Sequence, residues 1–110
     1  LDALRQVARL VQITAVGGFL RETPAGQHSR ATLADYADHV DHAVARVGIE
    51  HVGLSSDFDG GGGFIGWRDA SETAAVTAEL HRRGYGAREI GLLWSGNFLR
   101  LMRVAALAAR

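Results

Sequence analysis

Apolar positions change period along the chain, and the changes mark its elements. Leu1, Leu4, Val7, Ala8 and Leu10 recur near helical spacing. Residues 11–16, VQITAV, are short, β-branched and alternating, the pattern of a strand, and Gly17-Gly18 ends it. Residues 19–31 hold the single proline, Pro24, with Gly26, His28 and Ser29, and read as a loop. Thr32-Leu33-Ala34-Asp35 then has the form of a capping box, in which the hydroxyl and the carboxylate each satisfy a free backbone N–H. Leu33, Tyr36, Ala37, Val40, Ala43, Val44 and Val47 follow as one apolar stripe, and Gly48 stands where a glycine stops a helix. Residues 49–56 read as a second strand, centred on Val52 and Leu54. A further helix starts at Asp69-Ala70-Ser71-Glu72, carries the apolar Ala75, Val76 and Leu80, and stops near Gly84. Two more are predicted: one over 87–94 with Ile90, Leu93 and Trp94, and one over 97–109 with Phe98, Leu101, Met102 and Val104.

Strand, capped helix, strand is a βαβ unit, parallel and right-handed. Asp57 and Asp59 fall just past the carboxyl end of its second strand, the end where α/β proteins place their chemistry. Two strands do not make a stable sheet, and both are as apolar as strands buried on two faces. The pattern therefore predicts the C-terminal part of a larger α/β protein, and a chain that opens on Leu1 inside a helix agrees.

Composition narrows the chemistry. At 110 residues the chain is one domain at most, and its zero net charge gives no sign of a nucleic-acid partner. No apolar run approaches the ~20 residues that span a bilayer. The absence of cysteine excludes disulfides, thiolate nucleophiles and cysteine-based zinc sites. All 12 basic residues are arginine, which excludes Schiff-base chemistry and a Walker-type phosphate loop. The Ala- and Arg-rich, Lys-free composition points to a bacterial source; a cytoplasmic setting is expected alongside it.

The candidate chemistry lies in SSDFDGGGGFIGW, residues 55–67. As a calcium loop it fails, because Gly61 and Arg68 stand at the fifth and twelfth ligand positions. Strand-D-x-D-G resembles the first motif of the haloacid-dehalogenase-like phosphatases, yet the lysine that family needs is missing. The plain alternative is that Asp57 and Asp59 only shape a turn before a flexible glycine run. Asp38-His39-Val40-Asp41-His42 looks like a metal cluster, but the helical wheel puts Asp38 and His42 opposite the core, as a solvated face. His28, His51 and His81 read as loop, strand-start and helix-end residues. Trp67, Trp94 and Phe98 read as packing aromatics, with Trp67 a candidate pocket wall.

Three blocks in order, GIEHVGLSSDFDGGGGFIGWRDASE, ELHRRGYGAREI and LLWSGNFLRLM, resemble the membrane (renal-type) dipeptidase family, the M19 zinc peptidases. DHVDHAVARVGIEHVGLSSDFDG is similar to the family's seventh helix, eighth strand and catalytic loop, and LLWSGNFLR to its C-terminal helix. The resemblance implies a metallo-dependent hydrolase (β/α)8 TIM barrel, with this chain, residues 1–110, supplying the last two strands and the C-terminal helices. It implies dipeptide hydrolysis by water activated on two zinc ions, whose ligands all lie upstream of Leu1, so that no residue here is a metal ligand. It implies that Asp57 faces that water as general acid/base; it carries over no role for Asp59, which reads as loop structure or support of the site. The expected partners are a small dipeptide and, as one option, a second copy in a homodimer. The chain alone is expected to be inactive, and an inert remnant is the alternative to a working enzyme.

Overall fold

The computed structural model describes residues 9–22, 24 and 29–109. Strands β1 (Val11–Thr14) and β2 (Val52–Ser55) run parallel, in register from Val11 against Val52 to Thr14 against Ser55. The Ala15 N–H continues the ladder to the Ser55 carbonyl at 2.9 Å. Both strands are shorter than the apolar pattern predicts. Residues 49–51 wind into a 3-10 turn before β2, and Gly17–Leu20 forms a helical turn, α1, where a loop was expected. The helix predicted over 1–10 lies largely outside the described residues.

The crossover is α2 (Leu33–Val47), and it begins as the sequence dictates. Thr32 Oγ1 accepts from the Asp35 N–H at 3.2 Å, and Asp35 Oδ2 accepts from the Thr32 N–H at 2.9 Å. Gly48, at φ 93°, ends it in a conformation that penalises any side chain. The stripe Tyr36, Val40, Ala43 and Val47 is buried in one cluster with Ala15, Val52 and Leu54, and Ala37 is buried too. Full burial of each larger aliphatic side chain there contributes about 1.5–3 kcal/mol.

After β2 come a 3-10 turn (Ala70–Glu72), α3 (Thr73–Arg82), α4 (Ala87–Gly91), a π-helical segment (Leu92–Gly96) and α5 (Asn97–Ala108). Val76 and Leu80 join the core as predicted, but Ala75 faces solvent. The two final helices predicted from the sequence are one continuous helical run, because the wider turn at Leu92–Gly96 absorbs the break expected there.

Two expectations are corrected. The chain does not form a (β/α)8 TIM barrel: its described residues hold one open two-stranded sheet with flanking helices. Closure needs strands paired around a full circle, and neither outer edge here meets a further strand among the described residues. The apolar face of α5 is not core either. Phe98, Leu99, Met102, Val104 and Leu107 are 45–57% exposed, because nothing described packs over them. No helix among the described residues is long and apolar enough to cross a membrane.

Candidate active site at the carboxyl end of the sheet

The loop after β2 is built by alternation and by glycine. Asp57 and Asp59 face solvent, while Phe58 between them turns inward and sets its ring edge-on to Trp67 at 5.4 Å. Trp67 is buried and also packs edge-on to Tyr36 at 5.4 Å and Trp94 at 5.7 Å. Its indole N–H donates to Thr73 Oγ1 at 3.2 Å. This aromatic cluster anchors the loop and leaves both carboxylates displayed at the carboxyl end of β2.

Asp57 and Asp59 hold left-handed backbone conformations, φ 56° and 65°. Asp is among the few side chains that tolerate this region, at a cost the surrounding bonds must offset. The Asp57 carbonyl accepts from the N–H groups of Gly60 and Gly62 at 3.1 and 2.8 Å, which closes the turn. Gly60 lies against the Asp57 carboxylate: a Cβ on it would sit 2.6 Å from Oδ1. At Gly62 a Cβ would overlap the Ser56 carbonyl. Gly63, at φ 112°, donates to the Ala15 carbonyl at 2.6 Å, tying the loop to the end of β1. The glycine run is thus not a flexible spacer. Backbone opposes a side chain at Gly62 and Gly63, and one at Gly60 would displace the Asp57 carboxylate.

Beyond it Phe64 and Trp67 exchange both backbone bonds, at 3.1 and 3.0 Å, around Ile65-Gly66. A cavity of about 340 Å³ opens beside the loop, lined by Ser29, Gly62, Gly63, Phe64, Ile65 and Arg68. Trp67, the candidate pocket wall, belongs to the aromatic core instead.

The other sequence candidates fall elsewhere. Asp38, His39 and His42 are exposed on α2, as the wheel predicts. Asp41 is not merely solvated: with Asp38 it holds Arg83, each carboxylate 2.7 Å from the guanidinium, and it accepts from the Tyr85 hydroxyl at 2.7 Å. Arg83 also reaches Glu79 at 2.9 Å, so it staples α3 to α2. His39 Nε2 is 3.0 Å from the Leu20 carbonyl, and His51 Nδ1 is 2.8 Å from the Arg9 carbonyl, at the end of the sheet away from Asp57. His81 is exposed on the last turn of α3, and His28 lies outside the described residues. Phe98, expected to pack, is 45% exposed. Among the described residues no group of three or more His, Asp or Glu could hold a metal ion.

Asn97 is the important residue the sequence reading passed over. It is fully buried and donates to the Ile49 and Val52 carbonyls at 2.6 and 2.8 Å, while its Oδ1 accepts from Arg100 at 3.1 Å. An amide following glycine inside an apolar helical run was the available signal.

The family model for membrane dipeptidase (peptidase family M19) matches residues 1–110. The chain belongs to this family. The dipeptidase tcpJ of Claviceps purpurea is 31% identical over 104 residues, covering 94% of this chain and 24% of that protein. The crystal structure of the probable dipeptidase PvdM from Pseudomonas aeruginosa shares 52% identity over 76% of this chain and 20% of that one, with a TM-score of 0.64. A metallo peptidase from Rhodobacter sphaeroides, liganded with a phosphinate mimic of the dipeptide L-Ala-D-Ala, is 27% identical. It superposes over 93% of this chain and 29% of that one, with a TM-score of 0.84. The chain spans between 15% and 26% of the curated dipeptidases it matches. A membrane-dipeptidase match along the whole chain displaces the phosphatase reading of Asp57-Phe58-Asp59-Gly60.

Proposed function

We propose that this chain is the segment of a dipeptidase that carries its proton-transfer carboxylate, Asp57, within one hydrolase domain completed by the rest of the protein. One observation carries the reading. Asp57 stands at the carboxyl end of β2, exposed, in a left-handed turn closed by two N–H groups, with Gly60 leaving room for its carboxylate. A carboxylate held there can take a proton from the attacking water and deliver it to the leaving amine. Asp59, one residue beyond the inward-turned Phe58, shapes the loop. The dipeptidase relatives and the whole-chain family match supply the substrate class, a dipeptide.

Zinc is the cofactor the resemblance implies. The described residues of this chain do not fit a metal site, since their His, Asp and Glu side chains form no ligand group. The role given to Asp57 therefore rests on its own carboxylate oxygens. The test is turnover by the full-length protein, supplied with zinc and assayed by amino-acid release from a panel of L,L and L,D dipeptides. Hydrolysis of at least one member is expected, and failure on every member would overturn the reading.

A further inference from the structure

We infer that Tyr36 is a positioning residue for Asp57: from the crossover helix it holds both the strand end that the Asp57 loop leaves and the hairpin to which it returns; this rests on the dipeptidase reading. Tyr36 is fully buried, and the other buried residues of α2, Ala37, Val40, Ala43 and Val47, are aliphatic. A buried hydroxyl is costly unless it is bonded. This one donates to the Ile13 carbonyl at 2.6 Å, across 23 residues of chain. In the register of the sheet, the Ser55 N–H is the ladder donor to that same carbonyl. Burial pushes the hydroxyl above its ordinary pKa, and a backbone hydrogen bond from Ser55 offsets that only in part. The group therefore stays a neutral donor at working pH.

The bond lies at the end of the ladder. A regular parallel ladder would next bring the Asp57 N–H to the Ala15 carbonyl, since the Ala15 N–H donates to Ser55 at 2.9 Å. That carbonyl accepts instead from the Gly63 N–H at 2.6 Å, and Asp57 turns out of the sheet at φ 56°. Ser55 is thus the last residue of β2 held by the ladder, and Asp57 follows one residue after its neighbour Ser56. The direction in which Asp57 leaves depends on how Ser55 is seated against Ile13. The ring of Tyr36 meets the far side of the loop. It stacks on Phe64 at 5.6 Å and stands edge-on to Trp67 at 5.4 Å, the two residues that close the hairpin. Trp67 in turn packs edge-on to Phe58, the residue after Asp57. One side chain therefore bears on the loop where it departs and where it returns. Misplacing a catalytic group by about 1 Å can cost on the order of 10²-fold in rate.

The test measures kcat and KM of the full-length protein, on a dipeptide it hydrolyses, for Tyr36→Phe, Tyr36→Leu and Val47→Ala. Tyr36→Phe keeps the ring and leaves the Ile13 carbonyl its ladder donor, so the fold persists. Its kcat should fall about tenfold, with KM within about twofold of wild type. Tyr36→Leu also loses the ring contacts and should fall further. Val47→Ala removes buried packing at the opposite end of α2 and should lower the urea midpoint with kcat unchanged. In an Asp57→Asn background, Tyr36→Phe should bring no further fall, because Tyr36 acts through that carboxylate. A kcat for Tyr36→Phe within about twofold of wild type, beside a lowered urea midpoint, is the mark of a purely structural tyrosine and overturns the inference. An undiminished fall in the Asp57→Asn background overturns it as well. Should the wild-type protein hydrolyse no dipeptide, the dipeptidase reading fails and this role with it; an active wild type matched by Tyr36→Phe sinks the role alone.

Discussion

Replacing Asn97 by alanine should loosen the base of β2, and the structure sets the size of the effect. The side chain is fully buried and makes three hydrogen bonds, two as donor to the Ile49 and Val52 carbonyls and one as acceptor from Arg100. Alanine removes both donors and leaves two carbonyls short of a partner, the Val52 one buried and the Ile49 one half-buried. Each such group costs about 1–3 kcal/mol, and a carbonyl with a second lone pair falls toward the lower end. The expected loss is therefore about 3 kcal/mol for Asn97→Ala. Arg100 is exposed and donates to Asn97 and to the Glu50 carbonyl, so Arg100→Ala should cost about 1 kcal/mol. Urea unfolding of the full-length protein, followed by tryptophan fluorescence from the Trp67–Trp94 pair, measures both. A loss below about 1 kcal/mol for Asn97→Ala, or equal losses for the two variants, would refute the claim that Asn97 ties α5 to the strand presenting Asp57.

Three further predictions follow from the same geometry. Gly60→Ala drives a methyl into the Asp57 carboxylate, 2.6 Å from Oδ1, so kcat should fall at least as far as stability allows while circular dichroism stays native; an unchanged kcat would remove Gly60 from the site. Arg82 and Arg83 hold the Glu79 carboxyl down at about 2 against its ordinary 4.5. The stabilisation is thus present above about pH 4.5 and is lost as pH falls toward 2, so Glu79→Gln should flatten that acid limb of the urea midpoint. The 110-residue chain by itself should neither bind two zinc ions tightly nor hydrolyse dipeptides, since its described residues supply no ligand group; zinc-dependent turnover by it would contradict this.

What could be read from the sequence was local. The Thr32–Asp35 box and the α2 stripe were legible because the bonds that cap a helix and the period that buries it lie within a few residues of each other. The place of Asp57 at the carboxyl end of β2 was legible, as a carboxylate just past an apolar strand. What each glycine of the run does was not legible, because the constraint on Gly60, Gly62 and Gly63 comes from the Asp57 turn and from Arg68, and composition does not show it. The α5 stripe shows a face that favours burial but not whether a neighbour covers it, which is why Phe98 was misplaced. Arg83 and Asp41 meet across 42 residues of chain, beyond any periodic signal. The barrel came from resemblance alone, and the open sheet replaces it.

Asp57 and Asp59 have nearly the same backbone conformation, the same exposure class and adjacent places in one loop, yet only Asp57 has Gly60 against its carboxylate. The decisive measurement is kcat for Asp57→Asn beside Asp59→Asn in the full-length protein, with metal content and fold verified in each. Loss of a positioned general acid/base predicts a fall in kcat of about 10²–10⁴-fold for Asp57→Asn and a far smaller one for Asp59→Asn. Equal effects, or a kcat for Asp57→Asn within a few-fold of wild type, would contradict the assignment.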